Sequence, residues 1–468
     1  MVNKLLCFFL IFSGLLSQAQ DLFKRTYGAE GTFNQGFGLC NSNDQGFMIC
    51  GATGGFGAVN GGGLVIKTDS VGIQIWAKAF GGGLNDVLKS IIKTNDNNYV
   101  AVGFSNSNSD LTIKGWVIKI DNQGNVIWQK QLGTGEWNYF ESVRNSADGG
   151  LVMAGTTLMS DGSSGWVVKL DLNGDQVWEK LLNINGKESF NDLAAFANGD
   201  LILGGATESI GNGLKDAFVV RLNSNGDIIY TKTIGFEGED VCLGIDTAMN
   251  NSFAITGYFT QNDTKKFLIQ WLDSDGLTLS DNISGSGPVI GKKIIHRGNN
   301  EFVIASDYKP FNAWHALGWI TYSQLYVRCN KDFYGNKDSY SFAGALGKNN
   351  SFVVVGTTDA FTPGQSSIFM FNMTDSCQDS PTVVVNLATV SDVKIGIYPN
   401  PSSQYFNIES VLKPDLIEVY NASGQLVYVE KPIENTSTIP VSQWPDGLFL
   451  VKIKLSNQVN FQKVIVQH

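Results

Sequence analysis

Tyr99-Val100-Ala101-Val102-Gly103, followed after a loop by Gly115-Trp116-Val117-Ile118-Lys119-Ile120-Asp121-Asn122-Gln123-Gly124-Asn125-Val126-Ile127-Trp128, is the stretch on which the fold turns. Its first part is an apolar run that ends in a small residue beside a polar turn. The same marker recurs at Phe47–Gly51, Leu151–Gly155, Leu201–Gly205, Phe253–Gly257, Phe302–Ser306 and Phe352–Gly356. Successive end positions are 52, 52, 50, 52, 49 and 50 residues apart. A fixed period of that size signals a solenoid, a propeller or an array. Most of the chain is therefore scaffold, and any chemical-looking motif has first to be tested as a repeat position.

Each unit divides into four short strands, a to d. In the second unit strand a covers about 87–93, strand b 99–104, strand c 116–120 and strand d 125–131. Asn, Asp and Gly clusters between them supply the positive φ and local hydrogen bonds that hairpins need. Strand c and its turn recur at Leu64–Asp69 with Gly72, Trp166–Asp171 with Gly174, and Phe218–Asn223 with Gly226. An aromatic residue follows at a constant offset: Trp76, Trp128, Trp178 and Tyr230. One large ring per unit suits the wedge between neighbours. The fifth to seventh units are degenerate.

Seven four-stranded units predict an all-β, seven-bladed β-propeller, with about 50 residues per blade. The blades resemble those of kelch and quinoprotein-type propellers. The phase adds a sharper expectation. Phe23–Gly28 matches strand d and its sequel at Trp76–Gly81, whereas the seventh unit stops after its strand c. Residues 22–27 are thus predicted to pair with 367–372 and close the ring.

Residues 1–20 read as a signal peptide, with Lys4, an apolar run over Leu5–Leu16 and a small-residue cleavage site at Ser17-Gln18-Ala19. No later run is apolar enough to span a membrane, so no transmembrane segment is expected after its removal. Net charge is −10 without a Lys/Arg cluster, which argues against a nucleic-acid partner. Beyond Cys7, the cysteines are Cys40, Cys50, Cys242, Cys329 and Cys377. Cys40–Cys50 and Cys329–Cys377 are the two candidate disulfides, and buried free thiols the alternative.

After residue 375 the fifty-residue marker vanishes. Residues 376–392 read as a linker and 393–468 as a second domain of short alternating strands, a small β-sandwich. It contains Ile397-Tyr398-Pro399-Asn400-Pro401-Ser402, then Ile417-Glu418-Val419-Tyr420-Asn421-Ala422-Ser423-Gly424-Gln425. Trp444-Pro445-Asp446-Gly447-Leu448-Phe449-Leu450-Val451-Lys452 and a closing Phe461-Gln462-Lys463-Val464-Ile465-Val466 complete it. This segment resembles the C-terminal sorting domain of type IX secretion substrates of Bacteroidota. Tyr398, Pro399, Asn400, Pro401, Gly424, Gly447 and Lys463 carry the resemblance. It implies the type IX secretion machinery as partner and delivery to the cell surface or medium. A carbohydrate-binding sandwich is the alternative reading of the same strands.

The chain holds three histidines, His296, His315 and His468, and lacks metalloprotease, nucleophile-elbow and P-loop motifs. The Asp-rich segments Asp171–Asp175 and Asp273–Gly276 read as hairpin turns, with strands where a calcium loop would have helices. Five arginines make a sialidase-type triad improbable, since Arg221 occupies the repeat slot of Lys67, Lys119 and Lys169. No metal and no cofactor are expected. Candidate ligand contacts are Trp137 and Tyr139, placed in a d-to-a loop, and Trp314 and His315, in a long b-to-c connection; covering the core is their alternative role. The expectation is an exported binding protein for a polysaccharide or surface-protein ligand. The alternative, a polysaccharide-active propeller hydrolase, would need converging carboxylates.

Overall fold

The computed structural model describes residues 23–377, 385–386 and 395–468, apart from 30, 59–60, 83–84, 108–111, 185, 282–287, 300, 311–312, 322–324, 326, 334–336, 361–365, 375–376, 411–412, 422–424 and 456–457. The expected signal peptide and Gly424 lie outside the described residues. Two compact units share the chain, 1–387 and 388–468.

The first unit is seven antiparallel sheets in chain order. Their innermost strands, each strand a, are Asn34–Asn41, Asp86–Lys93, Trp137–Asn145, Glu188–Ala195, Val241–Thr247, Val289–Gly298 and Ser339–Leu346. Each packs beside the next, and the seventh packs beside the first. The ring is a seven-bladed propeller. Strands b and c are sandwiched between blades; Phe47–Thr53 and Gly62–Thr68 are buried at every position. That is why they read as continuous apolar runs and not as alternating ones.

Closure uses the amino-terminal strand as expected. Lys24–Tyr27 is strand d of blade 7, antiparallel to Ser367–Met373, with Lys24 opposite Phe371 and Tyr27 opposite Ile368. Val385–Asn386 adds a fifth, parallel strand outside it, so two linker residues take part in blade 7. Phe23 and Tyr27 are buried in one cluster with Ile368 and Met370 of blade 7 and Leu39, Ile49 and Leu64 of blade 1. A disulfide joins Cys329, in strand d of blade 6, to Cys377 beyond strand c of blade 7. Cys40 and Cys50 do not pair, because the hairpin register sets Cys50 opposite Gly38 and Cys40 opposite Met48.

The repeating aromatic in strand d docks on the c–d turn of the following blade. Trp76 donates its indole N–H to the Asn122 carbonyl (3.3 Å), and Trp128 donates to Leu172 (3.2 Å). The turn glycines Gly72, Gly124, Gly174, Gly226 and Gly276 have φ of 73–86°. A Cβ there would meet Phe23, Trp76, Trp128, Trp178 or Tyr230 respectively. Phe23 thus fills the slot of the tryptophans, and Tyr27 donates its hydroxyl to the Gly72 carbonyl (2.7 Å). Beneath each ring a strand-c cation pairs with the a–b turn of its own blade: Lys67–Asp44, Lys119–Asp96, Lys169–Asp148 and Arg221–Asp200, at 2.5–2.8 Å. Lys67, Lys119 and Arg221 also reach the next c–d turn, at Asn122, Leu172 and Ser274.

The marker glycine has its own cause. Strand a carries a β-bulge in every blade, between Gly36 and Gly38 in the first. The bulge brings a strand-a carbonyl onto strand b: a Cβ on Gly51 would lie 1.8 Å from the Gln35 oxygen, and on Gly103 2.0 Å from that of Val87. A side chain at such a gap fits only if the backbone shifts. In the sixth blade Ser306 stands at this place, opposite Gly291.

The second unit is a sandwich of a three-stranded sheet, Ile395–Tyr398, Tyr405–Ser410 and Thr436–Pro440, and a four-stranded one, Leu416–Tyr420, Leu426–Glu430, Gly447–Leu455 and Gln458–Val466. Phe406, Ile417, Phe449, Val451 and Val464 form its core.

Deleting residues 21–28 removes two buried aromatic side chains, each worth about 1.5–3 kcal/mol, and opens the ring. The melting temperature is expected to fall by about 10 °C or more in a calorimetric scan. An unchanged value would contradict closure by this strand.

Candidate functional site

The bulge that requires the glycine also frees one residue of strand a from the ladder. These residues are Phe37, Lys89, Glu141, Asn191, Leu243, Lys292 and Phe342, one per blade. All seven are half-buried and line one central cavity of about 540 Å³. A volume of this size lies within the usual range for small-ligand sites. Further along the same strands the lining continues with Ser142, Arg144, Asp192, Asp246 and Lys293.

The polar side is organised around Asp192. It accepts from Lys293 (2.5 Å), Arg144 (3.1 Å), the Ser142 hydroxyl (2.7 Å) and the Ile245 amide (3.1 Å). Burial raises its carboxyl, but Lys293 and Arg144 outweigh burial and hold it below the ordinary range. The same burial, with Arg144 nearby, pushes the Lys293 ammonium down. Asp246 accepts the His296 amide (2.9 Å), and burial pushes its carboxyl up. Glu141 lies 3.9 Å from Lys89, and burial raises its carboxyl too.

The opposite wall is aromatic. Phe37 and Phe342, from blades 1 and 7, meet edge to face with centroids 5.0 Å apart. Lys89 lies over Phe37 at 4.5 Å and Lys292 over Phe342 at 5.8 Å. Behind the wall Lys292 is 3.5 Å from Asp307, which also accepts the amide and hydroxyl of Ser341. Burial raises the Asp307 carboxyl to about 6.

The four candidates named from the sequence stand elsewhere. Trp137 and Tyr139 belong to strand a of blade 3 and not to a loop, because the ladder already begins at Trp137, opposite Leu158. Trp137 is exposed and precedes the bulge. Trp314 lies just before strand c of blade 6, donates its amide to Asp338 (2.8 Å) and packs near Tyr340. His315 opens that strand, 3.6 Å from Asp332. Strands a and c both start on the face that carries the d–a and b–c loops, so Trp137 and Trp314 share that face on different blades. None of the four lines the cavity.

The cavity residues carry no repeating identity, yet their spacing was available. Phe37 to Gly51, Lys89 to Gly103, Glu141 to Gly155, Asn191 to Gly205, Leu243 to Gly257, Lys292 to Ser306 and Phe342 to Gly356 are each fourteen residues apart. The Asp-rich c–d segments are hairpin turns whose carboxylates accept their own backbone amides: Asp171 accepts from Asn173 and Asp175, and Asp273 from Asp275 and Leu277. Among the described residues no group of three His, Cys, Asp or Glu converges as a metal site would.

In the second unit, Asn400 ties the Tyr-Pro-Asn-Pro segment to the last strand. It donates to the Lys463 carbonyl (2.9 Å) and accepts the Ile465 amide (2.9 Å). Tyr398 donates to Glu409 (2.8 Å), and Gly447 pairs opposite Val466.

Residues 396–467 match the family described as secretion system C-terminal sorting domain. The chain thus carries a type IX secretion sorting domain behind its β-propeller, which marks it for export to the cell surface or medium. Among the described residues no helix is long and apolar enough to cross a membrane. No curated protein matched the sequence. Solved structures with a similar chain course include PorZ, a surface component of the type-IX secretion system of Porphyromonas gingivalis, at 12% identity and a TM-score of 0.45. That match covers 92% of this chain, which spans 59% of PorZ. The Pan2 WD40 domain of Neurospora crassa matches at 10% identity and a TM-score of 0.44, over 75% of this chain and 91% of that one. Sqt1 of Chaetomium thermophilum, bound to the N-terminus of ribosomal protein L10, matches at 13% and 0.46, over 74% and 98%. The propeller assignment itself rests on strand pairing and closure.

With its value raised to about 6, Asp307 favours folding in its protonated form, and that contribution is lost as pH climbs from about 4 through 6. Asp307→Asn is therefore expected to gain up to about 3 kcal/mol over the parent at pH 8 and nothing at pH 4, measured by denaturant unfolding. A variant no more stable at pH 8 than at pH 4, relative to the parent, would contradict the assignment. Asn400→Ala is expected to cost the sandwich about 1–3 kcal/mol, read as an earlier unfolding transition of that unit, since it removes both ties to the last strand. An unmoved transition would show that the ties carry no stability.

Proposed function

We propose that the exported propeller is a binding module for a glycan or protein ligand, and that the ligand enters the central channel. The observation that supports this is the contrast between two sets of positions. Marker glycines, docking aromatics and clamp cations recur from blade to blade, as scaffold positions do. The seven bulge positions differ in chemistry around the ring, from two phenylalanines through lysines and a glutamate to asparagine and leucine. A ring of unlike side chains around one cavity is a recognition surface.

Binding suits the arrangement better than hydrolysis. A glycoside hydrolase needs two carboxylates facing one bond, about 5–10 Å apart, with one held protonated. Asp192 is already fully engaged by Lys293, Arg144, Ser142 and the Ile245 amide. Trp137, Tyr139, Trp314 and His315, on the loop face, serve in this reading as outer contacts for a longer ligand.

Mature full-length protein is expected to be retained on a glycan and surface-protein array. Leu243→Trp, which fills the channel opposite the phenylalanine pair, is expected to weaken retention at least about tenfold at unchanged melting temperature. Trp137→Ala and Trp314→Ala should weaken it less. Undiminished retention by Leu243→Trp would exclude the channel, and new reducing ends would favour the hydrolase.

A further inference from the structure

Four consecutive blades build one continuous wall. In ring order it runs Lys89 of blade 2, Phe37 of blade 1, Phe342 of blade 7 and Lys292 of blade 6. Each ammonium lies over the neighbouring ring, at 4.5 and 5.8 Å, and the rings meet at 5.0 Å. An edge-to-face aromatic pair with a cation over each ring is thereby held by the bulges of four separate sheets. The facing arc, Glu141, Asn191 and Leu243, supplies hydrogen-bonding groups and one apolar contact. Asn191 is fixed by donating to the Cys242 carbonyl (2.8 Å).

The cavity's charge is opposite in sign to the protein's. Its lining holds five cations (Lys89, Lys93, Arg144, Lys292 and Lys293) against three anions (Glu141, Asp192 and Asp246). The chain as a whole carries −10. A cationic cavity with low-dielectric walls concentrates anions. Asp192 takes up Arg144 and Lys293, whereas Lys89 is only loosely paired, 3.9 Å from Glu141. Lys89, on the aromatic wall, is thus the cation placed first to meet a ligand, while Lys292 at the other end is shared with Asp307 behind the wall at 3.5 Å.

We infer that the channel takes a carboxylate-bearing sugar, a uronate unit of an acidic polysaccharide. The inference rests on the binding-module reading above. The apolar face of the sugar ring lies on Phe37 and Phe342, its carboxylate meets Lys89 or Lys292, and its hydroxyls reach Glu141 and Asn191. Aromatic stacking alone would accept a neutral sugar, and cations alone any small anion. The two together, with polar groups opposite, select an acidic ring.

The test is calorimetric titration of the mature full-length protein with galacturonate, mannuronate and glucuronate oligomers, with their methyl esters, and with an acidic peptide of equal charge. At least one uronate oligomer is expected to bind. Its methyl ester, with the same ring and no charge, should bind about tenfold or more weakly, and added salt should weaken the acid form. Lys89→Met is expected to weaken the acid about tenfold and leave the ester unchanged. Removing Lys292 alone strands Asp307, so the second variant is the charge-balanced Lys292→Met/Asp307→Asn, with the same expected effect. Equal binding of acid and ester with silent lysine variants, binding of the acidic peptide as tight as that of the sugar, or binding of no uronate would each overturn the inference. In those cases array retention that Leu243→Trp still abolishes would leave the channel-binding reading intact.

Discussion

A ring of like wedges has to be closed by something, and here four residues close it. Lys24–Tyr27 supply the strand that blade 7 lacks, and Phe23 and Tyr27 then lock that blade to blade 1 through the same contact used between other neighbours. Phe23 and Tyr27 join the buried cluster that blades 7 and 1 share. Closure also fixes the spacing of the seven inner strands, and with it the shape of the cavity. The phenylalanine pair belongs to blades 7 and 1, the two blades at the seam.

A single backbone device links scaffold and recognition. The bulge in each inner strand presses a carbonyl against strand b and so demands a glycine or serine there. The same bulge turns one unpaired side chain toward the axis. Stability constrains the first position and leaves the second free to vary. The propeller holds its blades together with repeated aromatic and cationic contacts at the rim, while the channel stays chemically uneven. Carboxylates inside it are held down where cations crowd them, as at Asp192, and pushed up where burial dominates, as at Glu141 and Asp246.

Architecture was legible because its causes repeat. Gly51 and its equivalents answer to one steric gap, Trp76 and its equivalents to one docking slot, and the offset of Phe23 exposed the missing strand. The channel was not legible in the same way. Phe37, Lys89 and Glu141 share a position and no chemistry, so only the fixed distance to the marker glycine could have found them. Trp137 and Trp314 drew attention as aromatics outside the repeat slots, a signal of exposure that says nothing about the axis. The turn Asp44-Gln45-Gly46 and its equivalents read as ordinary hairpins, and their pairing with Lys67, Lys119, Lys169 and Arg221 emerged only in three dimensions. The disulfide stayed open between two choices until the register separated Cys40 from Cys50.

The sorting sandwich provides the route out of the cell, and the propeller is the domain it carries. Hydrogen–deuterium exchange of the backbone amides of residues 24–27 probes ring closure most directly. They are expected to be protected to the same degree as their partners 368–371, opening only with the whole ring. Exchange of 24–27 at the rate of a free chain end, with 368–371 still protected, would contradict closure by the amino-terminal strand.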